Sequence, residues 1–316
     1  MKKAYLACLP FLLLLGVEVA NSLRAPAASA SSSKFKKPTI VLWNSGVWPF
    51  AQRPWIALEE LVAATGLEFE HKIIDLSDKP QEFRDKYSWA QNGGSFPQVP
   101  LLEHDDILIT ESIEVSKYIG QYIAPESFGE RHGDDESAKM MYPVHDQVKR
   151  DLVDTFIDVW DNEITSSYYS CLTATSEKSA RTAQKKFTKS LKQTLRPILL
   201  ESRQMSSEAS NENESGAFLL GPNFSVAECI AAPWVQRFYF VLEHFRGVNF
   251  RDDILEECDA DDDDSLPVVK EWMEAVLKRP SVQKTECPHD EMVAAAMRYY
   301  VSYVSPGSPA ATNASL

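Results

Sequence analysis

The feature that most constrains this chain is a change of hydrophobic period part-way along it. Between Thr39 and Tyr122, short apolar runs that suit strands alternate with amphipathic stretches of helical period. Thr39–Trp43, Phe69–Ile74, Val99–Leu102 and Ile107–Ile109 read as strands, the last two around the acidic turn His104-Asp105-Asp106. A helix opens at Pro49, a residue suited to a first helical turn, and carries Ile56, Leu58, Leu61 and Val62 as far as Gly66. Pro80–Tyr87 and Ser112–Tyr122 give two more helices, with the looser stretch Ser88–Gln98 between them. The order β-α-β-α-β-β-α within about 85 residues predicts a compact α/β module with one crossover and a terminal hairpin.

From Asp135 onward the strand signals disappear. Met140–Ile164, Glu177–Met205, Ser225–Phe245 and Leu266–Lys278 have helical periodicity with charged outer faces, and Met292–Tyr303 can add one more helix. The second domain, residues 134–303, therefore reads as an all-α helical bundle, joined to the first (39–123) by the Pro- and Gly-bearing segment Ala124–Gly133. Inside it, Ser225-x-x-Glu228 has the spacing of a capping box with Phe224 placed as a staple, a folding device that does no chemistry. The run Asp252–Asp264 holds nine acids and no base and reads as a solvated insertion rather than a metal loop. Residues 304–316 read as a disordered tail.

The first 38 residues stand apart. Lys2 and Lys3, the apolar run Ala4–Leu15 and the small-residue site Ala20-Asn21-Ser22 have the form of a secretory signal peptide over residues 1–22. The apolar run is too short for a transmembrane span, which needs roughly 20 such residues. Residues 23–38 are rich in Ser, Ala and Lys and contain no acid. They read either as a flexible linker or as a transit-like segment, the latter implying a plastid reached through a two-part presequence. Asn213, Asn223 and Asn313 each begin an N-x-S/T sequon.

With 32 basic against 46 acidic residues, the net charge of −14 argues against nucleic acid as a partner, because a phosphate-binding surface needs clustered Lys and Arg. Past the leader, Cys171, Cys229, Cys258 and Cys287 are too sparse for a disulfide framework, and no C-x-x-C occurs. GxxxxGK[ST], GxGxxG, HExxH and GxSxG are all absent, and no metal site is expected.

What remains resembles a cytosolic-type glutathione transferase, nearest the cysteine-type branch of omega, lambda and dehydroascorbate-reductase classes. The resemblance rests on Trp48-Pro49-Phe50-Ala51-Gln52-Arg53, Lys79-Pro80, Val99-Pro100 and Glu111-Ser112, and in the helical half on Gly221-Pro222-x-Phe224-Ser225-x-Ala227-Glu228 and Arg279-Pro280-Ser281-Val282. It covers roughly Thr39 to Lys284 and implies a thioredoxin-like N-terminal domain that binds glutathione as cosubstrate. In that family, Val99 before a cis-Pro100 pairs its backbone with the cysteinyl unit, Glu111 and Ser112 at a helix start receive the γ-glutamyl end, Lys79 meets the glycyl carboxylate, and Phe50 flanks the thiol. Without the resemblance, a Lys at a helix start such as Lys79 reads as a solvated charge.

The departure falls at Trp48, where the branch carries a Cys whose thiol is activated at a helix N-terminus. Indole has one N–H donor and no nucleophilic atom. Ser45, Asn44 or the helix-terminal N–H groups are the available substitutes, with Ser45 preferred as the catalytic candidate. Small hydrophobic electrophiles would be taken at an apolar pocket for which Trp48, Trp160 and Tyr168 are candidates, although aromatic residues at helical spacing usually belong to a core. The resemblance also implies a homodimer, while the long Gly93-Gly94 stretch and the acidic insertion depart from the usual interface. Two functions follow: an enzyme presenting glutathione thiolate to electrophiles, or a non-catalytic ligand- or protein-binding module that has lost its chemistry at Trp48.

Overall fold

The structure is a computed structural model that describes residues 39–93, 96–128, 141–208, 216–259 and 267–300. The signal peptide, the segment to residue 38, the sequons at Asn213 and Asn313, residues 260–264 of the acidic run and the tail lie outside the described residues. The chain divides into two compact units, Met1–Gly133 and Asp134–Leu316.

The first unit is a four-stranded sheet in the order β2-β1-β3-β4. The central strand β1 (Ile40–Asn44) is buried at every position, as a strand covered on both faces requires. It runs parallel to β2 (Glu70–Ile73) and antiparallel to β3 (Leu101–His104), which turns back into β4 (Ile107–Thr110). The parallel pair is linked by α1 (Pro49–Thr65), the one connection that needs a crossover. Helix α1 stops where Gly66 adopts φ 72°, a left-handed cap whose N–H bonds the carbonyl of Val62.

Helix α2 (Gln81–Ala90) lays Phe83 and Tyr87 on Val41, Trp43, Ile74 and Leu101. A charged clasp pins it there: Lys86 reaches Glu103 on β3 at 2.6 Å and Glu82 at 2.9 Å, and the Trp43 indole N–H also donates to Glu103. The sequence pattern places this helix correctly but ends it three residues early. The final helical run is α3 (Ser112–Tyr118), a wide π-turn (Ile119–Ile123) and α4 (Ala124–Phe128). The expected linker is thus helical over its first five residues, with Ala124 and Phe128 buried.

In the second unit, α5 (Gln147–Val159) passes through a π-turn (Trp160–Ile164) into α6 (Thr165–Leu172). The expected start at Met140 lies outside the described residues, and α5 begins only at Gln147: residues 142–146 turn instead, with the Asp146 N–H on the Pro143 carbonyl at 3.2 Å, and the Asp146 side chain caps α5 by accepting from the Lys149 N–H at 3.1 Å. Helix α7 (Glu177–Ser190) leads through a second π-turn (Leu191–Leu195) to α8 (Arg196–Glu208). Helix α9 (Val226–Arg246) is apolar almost all round, the pattern of a helix at the middle of a bundle.

The acidic run is corrected as well. Phe250–Leu255 form a π-turn and α10 (Glu256–Asp259) follows, with Ile254, Leu255 and Cys258 fully buried. The apolar spacing Ile254, Leu255, Cys258 is that of one helix face, which the density of acids around it obscured. Helices α11 (Val268–Lys278), α12 (Pro280–Lys284) and α13 (His289–Tyr299) complete the described chain.

Candidate functional site

The candidate site gathers at the ends of β1, β3 and β4. Helix α1 begins at Trp48, whose extended backbone (φ −93°, ψ 126°) supplies no side-chain cap, and Pro49 takes the first helical position. Trp48 itself is half-buried, and its carbonyl accepts from Gln52 N–H at 3.1 Å. Upstream, Ser45 is buried, and its backbone N–H donates to Asn44 Oδ1 at 2.6 Å. The Ser45 hydroxyl makes no hydrogen bond among the described residues.

Val99-Pro100 is a cis peptide immediately before β3. The strand ladder starts at Leu101, so the N–H and C=O of Val99 fall outside it, and neither has a partner among the described residues. Glu111, the last residue before α3, sits at φ 68°, a strained setting for a residue with a side chain and one that strained loops at ligand sites tolerate. Glu111 is exposed as a residue, yet desolvation of its carboxyl, followed by the charge of Glu114, holds that carboxyl above the usual range.

Ser112 opens α3 and is buried. Its Oγ accepts a 3.1 Å hydrogen bond from the guanidinium of Arg53, itself 1% exposed, which leaves the hydroxyl proton to be donated. Arg53 also lies 5.2 Å from the Phe50 ring, so one cation ties the start of α3 to the first turn of α1. Arg53 has no assigned role in the sequence pattern. A lone charge beside the apolar positions Ala51 and Ile56 was the available signal.

Lys79 precedes α2. Its Nζ donates to the Pro97 carbonyl at 2.6 Å and lies 4.0 Å from the Phe96 ring centroid, a cation–π contact with a ring that is 74% exposed. Partial burial, then the charge of Arg84, lowers the Lys79 ammonium below its ordinary pKa. The Phe96 contact had no signal in the sequence pattern.

A family description of the glutathione S-transferase N-terminal domain matches residues 39–121, and one of the C-terminal domain matches residues 182–275, together more than half of the chain. The chain belongs to the glutathione S-transferase family. Glutathione S-transferase L3 of Arabidopsis thaliana is 25% identical over 257 residues, covering 81% of this chain and 85% of that one. Glutathione transferase Omega 3C from Trametes versicolor shares the fold with a TM-score of 0.59 at 21% identity, covering 82% of this chain and 90% of that one. Rice GST1, solved in complex with glutathione, has a TM-score of 0.54 at 17% identity over 83% of this chain and 96% of its own. The thioredoxin-like first domain and the helical second domain are those of this family, and the protein is glutathione transferase-like.

Within this transferase fold, Trp160 and Tyr168 are packed in the helical core, not at a pocket surface. Trp160 is fully buried, stacked on Phe156 at 5.7 Å and set edge-on to Trp272 at 5.5 Å. Tyr168 is 1% exposed and packs on Phe238 at 5.2 Å, with burial driving its hydroxyl far above the ordinary pKa. A helix face of large aromatics served packing, the commoner use of such spacing. A surface depression of about 440 Å³ on α2, lined by Asp85, Ser88, Trp89, Asn92 and Gly93, contains none of the seat residues.

All four described cysteines are buried, and none is in a disulfide. Burial raises the Cys171 thiol to about 12 and the Cys287 thiol to about 11. Among the described residues, no group of three or more His, Cys, Asp and Glu is placed to hold a metal, and no helix is long and apolar enough to cross a membrane.

Proposed function

We propose that the thioredoxin-like domain binds glutathione and activates its thiol for attack on small hydrophobic electrophiles, without a protein nucleophile. The observation that carries the reading is the Ser112 seat: a helix start, a hydroxyl with a proton to give, and a buried guanidinium behind it. Those three features favour a carboxylate, here the γ-glutamyl end. Val99 offers an N–H and a C=O for the cysteinyl backbone in the manner of an added strand. Glu111 is then available to the ligand's ammonium, and Lys79, once released from Pro97, to the glycyl carboxylate.

This arrangement brings the ligand sulfur toward the uncapped start of α1. A helix N-terminus is worth about 0.3–2 kcal/mol to an anion, and one pKa unit is about 1.36 kcal/mol. The helix alone therefore lowers a thiol by about 0.2–1.5 units from roughly 8.5. Ser45 can add one donated hydrogen bond. Because the cysteines with raised pKa values are also buried, bound glutathione is the sulfur best placed to react.

A second reading keeps the seat and drops the chemistry. It is favoured by one observation, that Trp48 stands at the N-cap of α1 and brings no nucleophilic atom there. Titration separates the two: the thiolate ultraviolet absorbance of saturating glutathione is followed against pH with and without the protein. A bound thiol titrating at least about half a unit below 8.5 is expected of the enzyme. Binding with an unshifted thiol selects the binding module, and no binding overturns both.

Ser112→Ala tests the seat directly. Losing one hydroxyl bond to a charged group, worth about 1.5–3 kcal/mol, is expected to weaken glutathione about tenfold or more by isothermal calorimetry. An unchanged affinity would remove Ser112 from the site. Glu111 adds a pH dependence. Its carboxyl is raised in the free protein and is stabilised as carboxylate by the ligand's ammonium, so glutathione affinity is expected to fall as pH drops through that raised value.

A further inference from the structure

Asn44, at the end of β1, is fully buried, and its side-chain amide has two neighbours. Oδ1 lies 2.6 Å from the backbone nitrogen of Ser45, and Nδ2 lies 3.2 Å from Nε2 of His71 on β2. A backbone N–H can only donate, so the atom facing Ser45 must be the amide oxygen. That fixes the amide, and the NH₂ must point at His71. An NH₂ can only donate, so His71 Nε2 must accept, with the imidazole neutral and its proton on Nδ1.

Protonating His71 would set an N–H of the ring against the N–H of the amide. Turning the amide relieves that contact only by setting NH₂ against the Ser45 N–H. No water is available to a side chain with no exposed surface, so one of the two contacts is lost either way. We infer that Asn44 couples the protonation state of His71 to the position of the Ser45 loop, holding that loop in place while His71 is neutral and loosening it when the ring takes a proton. Its consequence for sulfur chemistry rests on the reading that glutathione thiol lies between Ser45 and α1.

The surroundings fit the neutral state. Trp55 of α1 lies 4.5 Å from the ring and Phe69 lies 5.9 Å away. Glu59 of α1 is the acid that acts on it, and the β1 segment Ile40–Asn44 contributes no charge. Glu70 and Lys72, adjacent on β2, point to the other face of the strand, where Lys72 lies 4.2 Å from the Trp43 ring centroid. Desolvation, outweighing Glu59, holds His71 below its usual 6.5. For a depressed folded pKa the neutral-form contacts contribute above about 6.5 and are lost as pH falls through the lower folded value.

The test uses the full chain labelled with ¹⁵N-histidine, and separately with carbonyl-¹³C asparagine and ¹⁵N-serine. Asn-Ser pairs occur only at Asn21-Ser22 and Asn44-Ser45, so the second sample isolates the Ser45 amide with one companion. The expected result is an Nδ1–H tautomer for His71 at pH 7.5 and a Ser45 amide that shifts with the same midpoint as the ring. His71→Gln, which can accept through Oε1 and never titrates near neutrality, should leave the Ser45 amide flat with pH. Asn44→Asp should reverse the preference, moving the ring proton to Nε2 and raising its midpoint by about one unit or more.

An Nε2–H tautomer at pH 7.5 in the parent chain, or a Ser45 amide that does not follow the ring, overturns the coupling. Glutathione affinity at pH 5.5 and 7.5 then reads the functional arm: the parent chain should lose more affinity on acidification than His71→Gln. If glutathione binds neither protein at either pH, the seat reading fails while the resonance data still decide the coupling.

Discussion

Trp48→Cys is expected to give the protein thiol-transfer activity through a cysteine at the start of α1. The substitution puts sulfur at the start of α1, a helix with no side-chain cap and Pro49 at its first position. The helix terminus lowers such a thiol by about 0.2–1.5 units, to a midpoint of about 7–8.3 instead of 8.5. Against the four described cysteines, all buried, the new thiol should be the one that iodoacetamide adds to the labelling of the parent chain, as peptide mapping would show. Offered glutathione disulfide, the variant should form a mixed disulfide, readable by mass, and then turn over with added glutathione. Trp48→Ser serves as the control and should gain neither property. Labelling without a mixed disulfide would mean that the glutathione seat has decayed along with the nucleophile. A thiol midpoint at or above 8.5 would falsify the activating role given to the α1 terminus.

The largest stability effect is expected at Glu228, at the start of α9. Its carboxylate accepts from the Ser225 N–H at 2.9 Å, the Ser225 hydroxyl at 2.7 Å, the Leu219 N–H at 2.7 Å and the Trp272 indole at 3.1 Å. Every one of these bonds is buried. Glu228→Ala strands those donors at about 1–3 kcal/mol each, with partial relaxation, for a loss of roughly 5 kcal/mol. That is comparable to the whole stability of a small domain, about 5–15 kcal/mol. The urea midpoint of the helical unit should fall by about 2 M for a slope near 2.5 kcal/mol/M. Ser225→Ala removes the cap and one of the four donors to Glu228 without stranding the others, and should cost about 1–2 kcal/mol. Near-equal losses for the two variants would show that Glu228 is a cap residue and nothing more.

The same residue marks the limit of what local pattern reveals. Ser225-x-x-Glu228 is a four-residue signature, so the cap was legible. The bonds to Leu219 and Trp272 join segments 9 and 44 residues away in sequence and leave no trace in the spacing. The strand and helix order of the first unit was legible for the same local reason, because alternation and helical stripes are written into neighbouring residues. Breakdowns came where a local cap overrode a period, as Asp146 does at the start of α5, or where composition masked one, as the acids do around Ile254, Leu255 and Cys258.

At the candidate site, the resemblance pointed to Val99-Pro100 and Glu111-Ser112, and the cis bond and the Glu111 dihedral give those positions a distinct geometry. It did not point to Arg53 behind Ser112, to Phe96 over Lys79 or to His71 beside Asn44. Each of those pairings spans 17 to 59 residues and is set by the packing of one element on another. Trp160 and Tyr168 failed in the opposite sense: their type suited a ligand pocket, but the bundle needed their volume inside.

The burial of the cysteines has a consequence for the life history of the molecule. Exchange with disulfides runs through the thiolate. With thiols at about 12 and 11, Cys171 and Cys287 are ionised at neutral pH to about one part in 10⁴ or less, and each is closed off from solvent. Cys229 and Cys258 have no exposed surface at all. The folded protein should therefore pass between glutathione buffers of very different oxidation state with these four sulfurs untouched, carrying no redox memory of either buffer.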